Sequence, residues 1–357
     1  MARGDLRSPE AGVGVEAAEP RMRAEIILYS STSGYANFTL YISFDFPRVI
    51  EKSISSAYNI VRQTHLQSFG LTSGSSSDAM ESTDTSSVNR SFIDLPRELF
   101  QMLASAGPYL HRDAVLLQKV CRVLRGYYLS ALEFVGNGGG AVNPESCVGG
   151  NRDPRMHLKE ARSRVEEALG TCLLPSLQLI PANPAVGQEI WEVMSLLPYE
   201  VRYRLYGEWE KDDERIPMVL AARQTAKLDT RRILKRLAKE NLKQLGRMVA
   251  KLAHANPMTV LRTIVHQIEA YRDMIAPVVD AFKYLTQLEY DVLEYVVIER
   301  LAQGGREKLK DDGLNLSDWL QSLASFWGHL YVLVSSLQEF TCNASYLIWH
   351  TFTYDNF

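Results

Sequence analysis

One short stretch of the chain concentrates the side chains that could bind phosphate. Between residues 223 and 251 there are ten lysines and arginines but only two acidic residues, which gives a formal charge of +8 in a chain whose net charge is −3. Lysine and arginine bind phosphate and carboxylate oxygens through charge-assisted hydrogen bonds. The stretch therefore predicts contact with RNA or with an acidic partner. The ten basic residues are Arg223, Lys227, Arg231, Arg232, Lys235, Arg236, Lys239, Lys243, Arg247 and Lys251.

Eight of these basic residues recur at every fourth position, from Arg223 to Lys251. A step of four residues turns a helix by about 400°, so successive members lie about 40° apart and form a slowly winding stripe. Like charges at this spacing repel each other by a few tenths of a kcal/mol. A bend near residues 240–241 would divide the stripe between two helices and make it a patch. An ordinary solvated helix face remains the other interpretation.

A second candidate contact is the segment YEVRYRLYGEW, residues 199–209, in which tyrosines alternate with arginines. One interpretation is an aromatic platform on which bases stack. The other is a short helix whose tyrosines pack on a neighbour and contact arginine stems. We favour the second, because the acidic run that follows would repel phosphate. The residues concerned are Tyr199, Arg202, Tyr203, Arg204 and Tyr206.

The sequence offers no pattern typical of catalysis, a metal site or a cofactor. A G-x-G-x-x-A pattern at Gly136, Gly138 and Ala141 follows a predicted helix instead of a strand, so we interpret it as a linker and not as a phosphate loop. The four cysteines and seven histidines are scattered without metal-ligand spacing. We therefore predict that the chain is not an enzyme and holds no metal and no cofactor.

Apolar residues at helical spacing place both candidate contacts on helices. Asn256–Pro257 and Ser317–Asp318 are predicted starts, with Asn256 as a cap, and Gly304–Gly305 is a predicted end. Short connections between helices of this length are typical of an α-solenoid of HEAT or armadillo-like hairpins, with a compact helical bundle as the alternative. The predicted helices lie near 188–197, 199–207, 218–238, 241–254, 257–273, 277–288, 290–303 and 316–330.

The rest of the chain is less regular. Strand-like alternation runs over residues 25–46, and three prolines predict a loop over residues 173–187. The predicted divisions are a weakly ordered segment 1–46, a helical region 47–180 with a Ser-rich linker 70–91 and a Gly-rich linker 136–154, a solenoid segment 188–330, and an atypical tail 331–357.

Four segments of the chain carry a resemblance to a known family: LPYEVRYRLYGEW, RILKRLAKENLKQLGRMVAKLAHANP, APVVDAFKYLTQLEYDVLEYVVIERLA and LSDWLQSLASFWG. They resemble the THO complex subunit 2 family, in a form close to the plant one. The resemblance covers about residues 49–329 and is densest from residue 188 onward. It implies a helical scaffold of the nuclear THO/TREX assembly, without catalysis, that supports messenger RNA processing and export coupled to transcription. It also implies contacts with sister subunits, an RNA helicase partner and messenger RNA.

Two parts of the chain depart from the family. Residues 1–46 look unlike it, and family members continue with further helices where this chain has YVLVSSLQEFTCNASYLIWHTFTYDNF. We therefore expect a truncated or alternatively spliced fragment. The sequence predicts a scaffold segment, with a stand-alone RNA-binding helical module that uses residues 223–251 as the alternative.

Overall fold

The structure is a computed structural model that describes residues 46–68, 95–136, 154–212, 216–237, 239–310 and 314–336. The chain divides into two compact units, Met1–Val49 and Ile50–Phe357. Three predicted segments lie outside the described residues: the strand-like segment 25–46 except for Phe46, which begins a helix, the linker 70–91, and all but the ends of the linker 136–154. The same holds for residues 337–357 of the predicted tail.

The prediction of an all-α fold is confirmed. Within the described ranges the regular elements are helical, and an isolated antiparallel bridge joins Leu309 to Leu316. The α-helices are α1 (Phe46–Ser68), α2 (Arg97–Ala106), α3 (Ala114–Gly136), α4 (Pro154–Ala168), α5 (Leu174–Leu177), α6 (Pro184–Met194), α7 (Tyr199–Asp212), α8 (Pro217–Leu234), α9 (Leu242–Ala255), α10 (Pro257–Ala270), α11 (Ile275–Phe282), α12 (Gln287–Ala302) and α13 (Asp318–Ser336).

The loop predicted over residues 173–187 is wrong in its first and last parts. The chain leaves α4 through a π-helical turn, Leu169–Leu173, and continues directly into α5. Pro175 lies in the first turn of α5, where its missing N–H is harmless, and Pro184 begins α6 in the same way. The loop prediction failed because Pro175 and Pro184 lie in the first turns of helices, where proline is compatible with helical structure.

The predicted capping role of Asn256 is also wrong, although Pro257 does begin α10. Asn256 has backbone angles of −131° and 63°, and its side chain makes no capping hydrogen bond. Asn183 shows the geometry that a cap requires: its backbone is extended, and its Oδ1 accepts a hydrogen bond of 3.0 Å from the N–H of Ala185.

The second half of the described chain stacks its helices in a regular way. α8 packs on α10, α9 on α11, α10 on α12, and α11 on α13, so each helix contacts the one two places further along. This is the pattern expected of stacked helical hairpins, and it makes the fold solenoid-like. The stack is held by fully buried apolar residues, which include Val260, Leu261, Ile264, Phe282, Val292, Val296 and Phe326.

Candidate nucleic-acid interface

The predicted bend in the basic stretch is confirmed. Helix α8 ends at Leu234, a short 3-10 turn covers Lys239–Asn241, and α9 begins at Leu242. The side chain of Asn241 donates a hydrogen bond of 2.7 Å to the carbonyl of Arg236 and ties the two sides of the bend together. Helices α8 and α9 also contact each other, so the stripe becomes a patch on two helices.

Eight of the ten predicted basic residues have exposed side chains, and we call them the basic surface. An acidic neighbour within the stretch is Asp229, which accepts a hydrogen bond of 2.9 Å from Arg232. Because Arg232 is largely exposed and Asp229 is partly exposed, water and salt screen this pair, and Arg232 stays available to a partner. The basic surface consists of Lys227, Arg231, Arg232, Lys235, Arg236, Lys243, Arg247 and Lys251.

Two predicted residues are not part of this surface. Arg223 bonds inside the protein: its guanidinium donates to the side chain of Gln178 at 2.9 Å and to the carbonyls of Trp209 and Glu210, both at 2.8 Å. Those carbonyls belong to the last turn of α7, which has no further helical N–H groups to bind them. Arg223 therefore fastens α8 to the end of α7. The side chain of Lys239 lies outside the described part of the structure.

Buried residues on the opposite side of the two helices orient the cations. Thr230, Ile233 and Leu234 of α8 are buried, as are Val249 and Ala253 of α9. With these residues turned inward, the helical period turns the cations outward. Helical spacing predicts six apolar residues on the buried side of this pair of helices. Three of them are buried and three are half-buried: Ile233, Leu234 and Val249 in the first group, and Leu237, Leu245 and Leu252 in the second.

Two large apolar side chains stand among the cations. Leu228 is 53% exposed and Met248 is 44% exposed. Leu228 lies one turn before Arg231 and Arg232, and Met248 lies one turn before Lys251. Single exposed apolar side chains are common on protein surfaces, so these two add apolar area to the basic surface without marking a partner site by themselves.

A pair of residues that sequence reasoning missed extends the surface onto a third helix. Lys283 and Tyr284 follow α11, and the Arg247 guanidinium of α9 lies 5.7 Å from the Tyr284 ring centroid. Gly246 brings the helices together: a Cβ built there would lie 3.2 Å from the Cα of Ala281 and 3.4 Å from Cε2 of Tyr284. The glycine in the middle of α9 was the available signal for this close approach.

The aromatic platform predicted as one interpretation of residues 199–209 is not present, and the packing interpretation describes these residues. Tyr206 is fully buried and donates a hydrogen bond of 2.7 Å to Asp291, while Arg202 donates two bonds of 2.9 Å to the same carboxylate. Burial raises the pKa of Tyr206 well above its usual value, and the charge of Asp291 adds to the shift. The Tyr206 hydroxyl therefore stays protonated and donates.

The other residues of the segment also bond or pack within the protein. Tyr203 lies 5.6 Å from Tyr295, between ring centroids. Arg204 pairs with Glu166 of α4, across a cleft of about 470 Å³ that the two residues help to line. Tyr199 is 42% exposed and forms an edge contact with Tyr203. The segment thus joins α7 to α4 and α12.

Two further properties of the described ranges bear on function. They contain no group of three or more His, Cys, Asp or Glu side chains placed to hold a metal ion. Nor does any helix within them combine the length and the apolar character that a membrane crossing needs.

Comparison with known families matches the chain in two adjoining pieces. Residues 80–247 match the family described as THO complex subunit 2 N-terminus, and residues 249–324 match the family described as Transcription- and export-related complex subunit. The two matches meet inside α9, next to the centre of the basic surface. Together they cover most of the described helices.

Individual relatives agree with the family matches. THO complex subunit 2 of Arabidopsis thaliana is 74% identical over 283 residues, which are 79% of this chain and 15% of that protein. THO complex subunit 2 of Homo sapiens is 36% identical over 259 residues, 72% of this chain and 15% of its own length. The Saccharomyces cerevisiae protein of the same name is 28% identical over 226 residues, 63% of this chain and 13% of its own.

The chain therefore corresponds to about a seventh of the length of these relatives. Family matches and relatives point to the same protein, and both include the helices that form the basic surface. The chain belongs to the THO complex subunit 2 family.

Proposed function

We propose that this chain is a scaffold segment of the nuclear THO/TREX assembly. It supports messenger RNA processing and export, coupled to transcription, by binding other subunits, among them an RNA helicase. The observation that carries the proposal is the regular stack from α8 to α13 in a chain of this family, because a stacked array offers long helical surfaces for partners. We propose no catalysis and no cofactor for it.

Reconstitution tests the scaffold role. The full chain, expressed together with the other THO subunits, is expected to elute with them on size exclusion. A variant with Leu228→Ser and Met248→Ser removes the exposed apolar contacts, and we expect it to weaken this association. Val115→Ser, at a 61% exposed position in α3, is the control for a general loss of surface apolarity. Separate elution of the unaltered chain under all conditions would contradict the proposal.

A second candidate function is direct RNA binding through the basic surface. Its support is eight exposed cations on α8, α9 and the turn after α8, with few carboxylates among them. Each phosphate contact to a single strand lowers the logarithm of the binding constant by about 0.7 per tenfold rise in salt. Binding that rests on these cations is therefore steeply sensitive to salt, whereas binding to an apolar helix face is not.

Fluorescence anisotropy of the full chain with a single-stranded RNA at two salt concentrations tests this function. The variant carries glutamate at four members of the basic surface, Arg231, Arg232, Lys235 and Arg236, and we expect weaker binding and a shallower salt slope. The matched control carries glutamate at Lys52, Arg62, Lys159 and Lys211, four exposed cations on other helices. If both variants lost the same RNA affinity, net charge alone would explain the binding. That result would contradict a specific role for the basic surface.

A further inference from the structure

Tyr284 occupies a corner of the basic surface that charge alone does not explain. It follows the end of α11, and its ring reaches the side of α9 at Gly246. The residue is half-buried, so it lies at the surface and not in the core. Gly246 contributes to this corner, because a Cβ at its position would lie only 3.2 Å from the Cα of Ala281 and would press the two helices apart.

Two cations flank this ring. The Arg247 guanidinium lies 5.7 Å from the ring centroid and the Lys283 ammonium 5.5 Å from it. Both separations are near the outer limit of about 6 Å for a cation–π contact. Arg247 and Lys283 are exposed, and Lys243 lies one turn before Arg247 on α9. An aromatic ring therefore stands among three cations that face solvent.

This combination distinguishes between classes of nucleic acid. A surface that only neutralises phosphates requires cations and no ring. Sites for single strands add aromatic side chains on which unpaired bases stack, while the bases of a double helix are already stacked on one another. The Tyr284 corner supplies both parts of a single-strand site, the cations and the ring, on α9 and on the turn that follows α11.

We propose that the basic surface binds single-stranded RNA, with one unpaired base stacked on Tyr284 and the neighbouring phosphates bound by Lys243, Arg247 and Lys283. The inference rests on the RNA-binding function proposed above and names the form of nucleic acid that the surface takes. It adds Lys283 and Tyr284 to the residues that the charge pattern indicates.

Competing interpretations of Tyr284 have different consequences. If the ring serves only to hold Arg247, its loss weakens the binding of every polyanion to a similar degree, because it acts through the cation. If the ring stacks on a base, its loss weakens only the binding of ligands that have unpaired bases. The two interpretations can therefore be told apart by comparing, for each Tyr284 variant, the affinity for a ligand with unpaired bases and the affinity for a polyanion without bases.

The test is fluorescence anisotropy of the full chain with three probes: a single-stranded RNA of about 15 nucleotides, a duplex of the same RNA, and an inorganic polyphosphate of similar charge. The variants are Tyr284→Leu, which removes the ring, and Tyr284→Phe, which keeps it. We expect Tyr284→Leu to weaken single-strand binding by about five- to a hundredfold, because stacking one base contributes about 1–3 kcal/mol. Tyr284→Phe should bind as the unaltered chain does, and polyphosphate affinity should change in neither variant.

The outcomes separate the two proposals. No RNA binding by the unaltered chain overturns the RNA-binding function and this inference together. Salt-sensitive RNA binding that Tyr284→Leu leaves unchanged overturns the stacking site alone and leaves the phosphate contact intact. Equal losses for RNA and polyphosphate, or equal affinity of the unaltered chain for duplex and single strand, also overturn it. Circular dichroism of each variant confirms that the helices are retained.

Discussion

At the scale of single residues, arginine has two uses in this chain. Arg231 and Arg247 are exposed on the basic surface, whereas Arg223 and Arg202 bond to groups inside the protein. The difference depends on the partner that each guanidinium meets. A planar group with five donors satisfies carbonyls and carboxylates as well as it would phosphate.

Replacement of Arg223 tests its internal role. Arg223→Ala removes three hydrogen bonds and leaves two carbonyls of α7 without a donor, so we expect a loss of about 2–3 kcal/mol in the free energy of unfolding. Lys227→Ala, one turn further along α8 and exposed, should change it by less than about 0.5 kcal/mol. Urea titration followed by circular dichroism measures both. Equal stability of the two variants would mean that the hydrogen bonds of Arg223 do not stabilise the contact between α8 and α7.

Asp291 gives a larger expected effect. Asp291→Asn removes the buried charge that pairs with Arg202 and that accepts the Tyr206 hydrogen bond, so we expect a loss of about 3–5 kcal/mol. The control is Asp229→Asn, which breaks the exposed pair with Arg232 and should cost less than about 1 kcal/mol. Thermal or urea unfolding checks the pair. A small loss for Asp291→Asn would show that a neutral amide serves Arg202 and Tyr206 as well as the carboxylate does.

The sequence could not separate these uses of arginine. Arg223 and Arg231 belong to the same four-residue repeat, and only the fold brings Gln178, 45 positions away, to Arg223. Asp291 likewise meets Arg202 across 89 positions. Tyr284 was missed because it enters the surface through a helix crossing. Spacing along one helix predicts which residues share a face, but contacts between distant helices depend on tertiary structure.

At the scale of elements, the close approach of α9 to α11 depends on Gly246. The helices themselves could be predicted, because apolar spacing and end signals are local, and all eight helices predicted over residues 188–330 are present with shifted ends. Their partners could not be predicted, since periodicity says which side of a helix is buried and not against what. Gly246 marks one crossing where the missing side chain decides how near two backbones come.

Two glycine replacements should have opposite effects on stability. Gly246→Ala places a methyl group 3.2 Å from the Cα of Ala281, which cannot move without its helix, so we expect destabilisation despite the better helix propensity of alanine. Gly328→Ala, within α13, meets nothing within 4 Å and should stabilise by about 0.5–1 kcal/mol. Thermal unfolding of both variants measures the sign. Stabilisation by Gly246→Ala would show that the crossing has room for a side chain.

At the scale of the whole molecule, the stack from α8 to α13 connects each helix mainly to its near neighbours. In such arrays the free energy of unfolding is close to the sum of contributions from each repeat and from the interfaces between neighbours. A destabilising substitution therefore acts mainly on the helices around it. The family matches reach every helix of this stack, so the stack belongs to the part of the chain that the family describes. We therefore expect parts of the described helical stack to unfold locally before the whole stack unfolds.

Hydrogen exchange with two core variants tests that locality. Phe326→Ala removes a fully buried ring that meets Phe282 at 5.9 Å, and we expect a cost of about 3–5 kcal/mol with faster exchange in α10, α11 and α13. Exchange in α2 and α3 should change little. The mirror variant Leu117→Ala, fully buried in α3, should show the reverse pattern. Uniformly faster exchange in both variants would indicate one cooperative core.

The contact of each helix with the one two places along also has a mechanical consequence. We expect a force applied to one helix of the series to pass to its second neighbours through the apolar side chains between them. Slight rotations at successive crossings would then add up along the stack, and the stack would yield elastically. Where Arg223 fastens α8 to the end of α7, three hydrogen bonds should resist such a rotation at the start of the series.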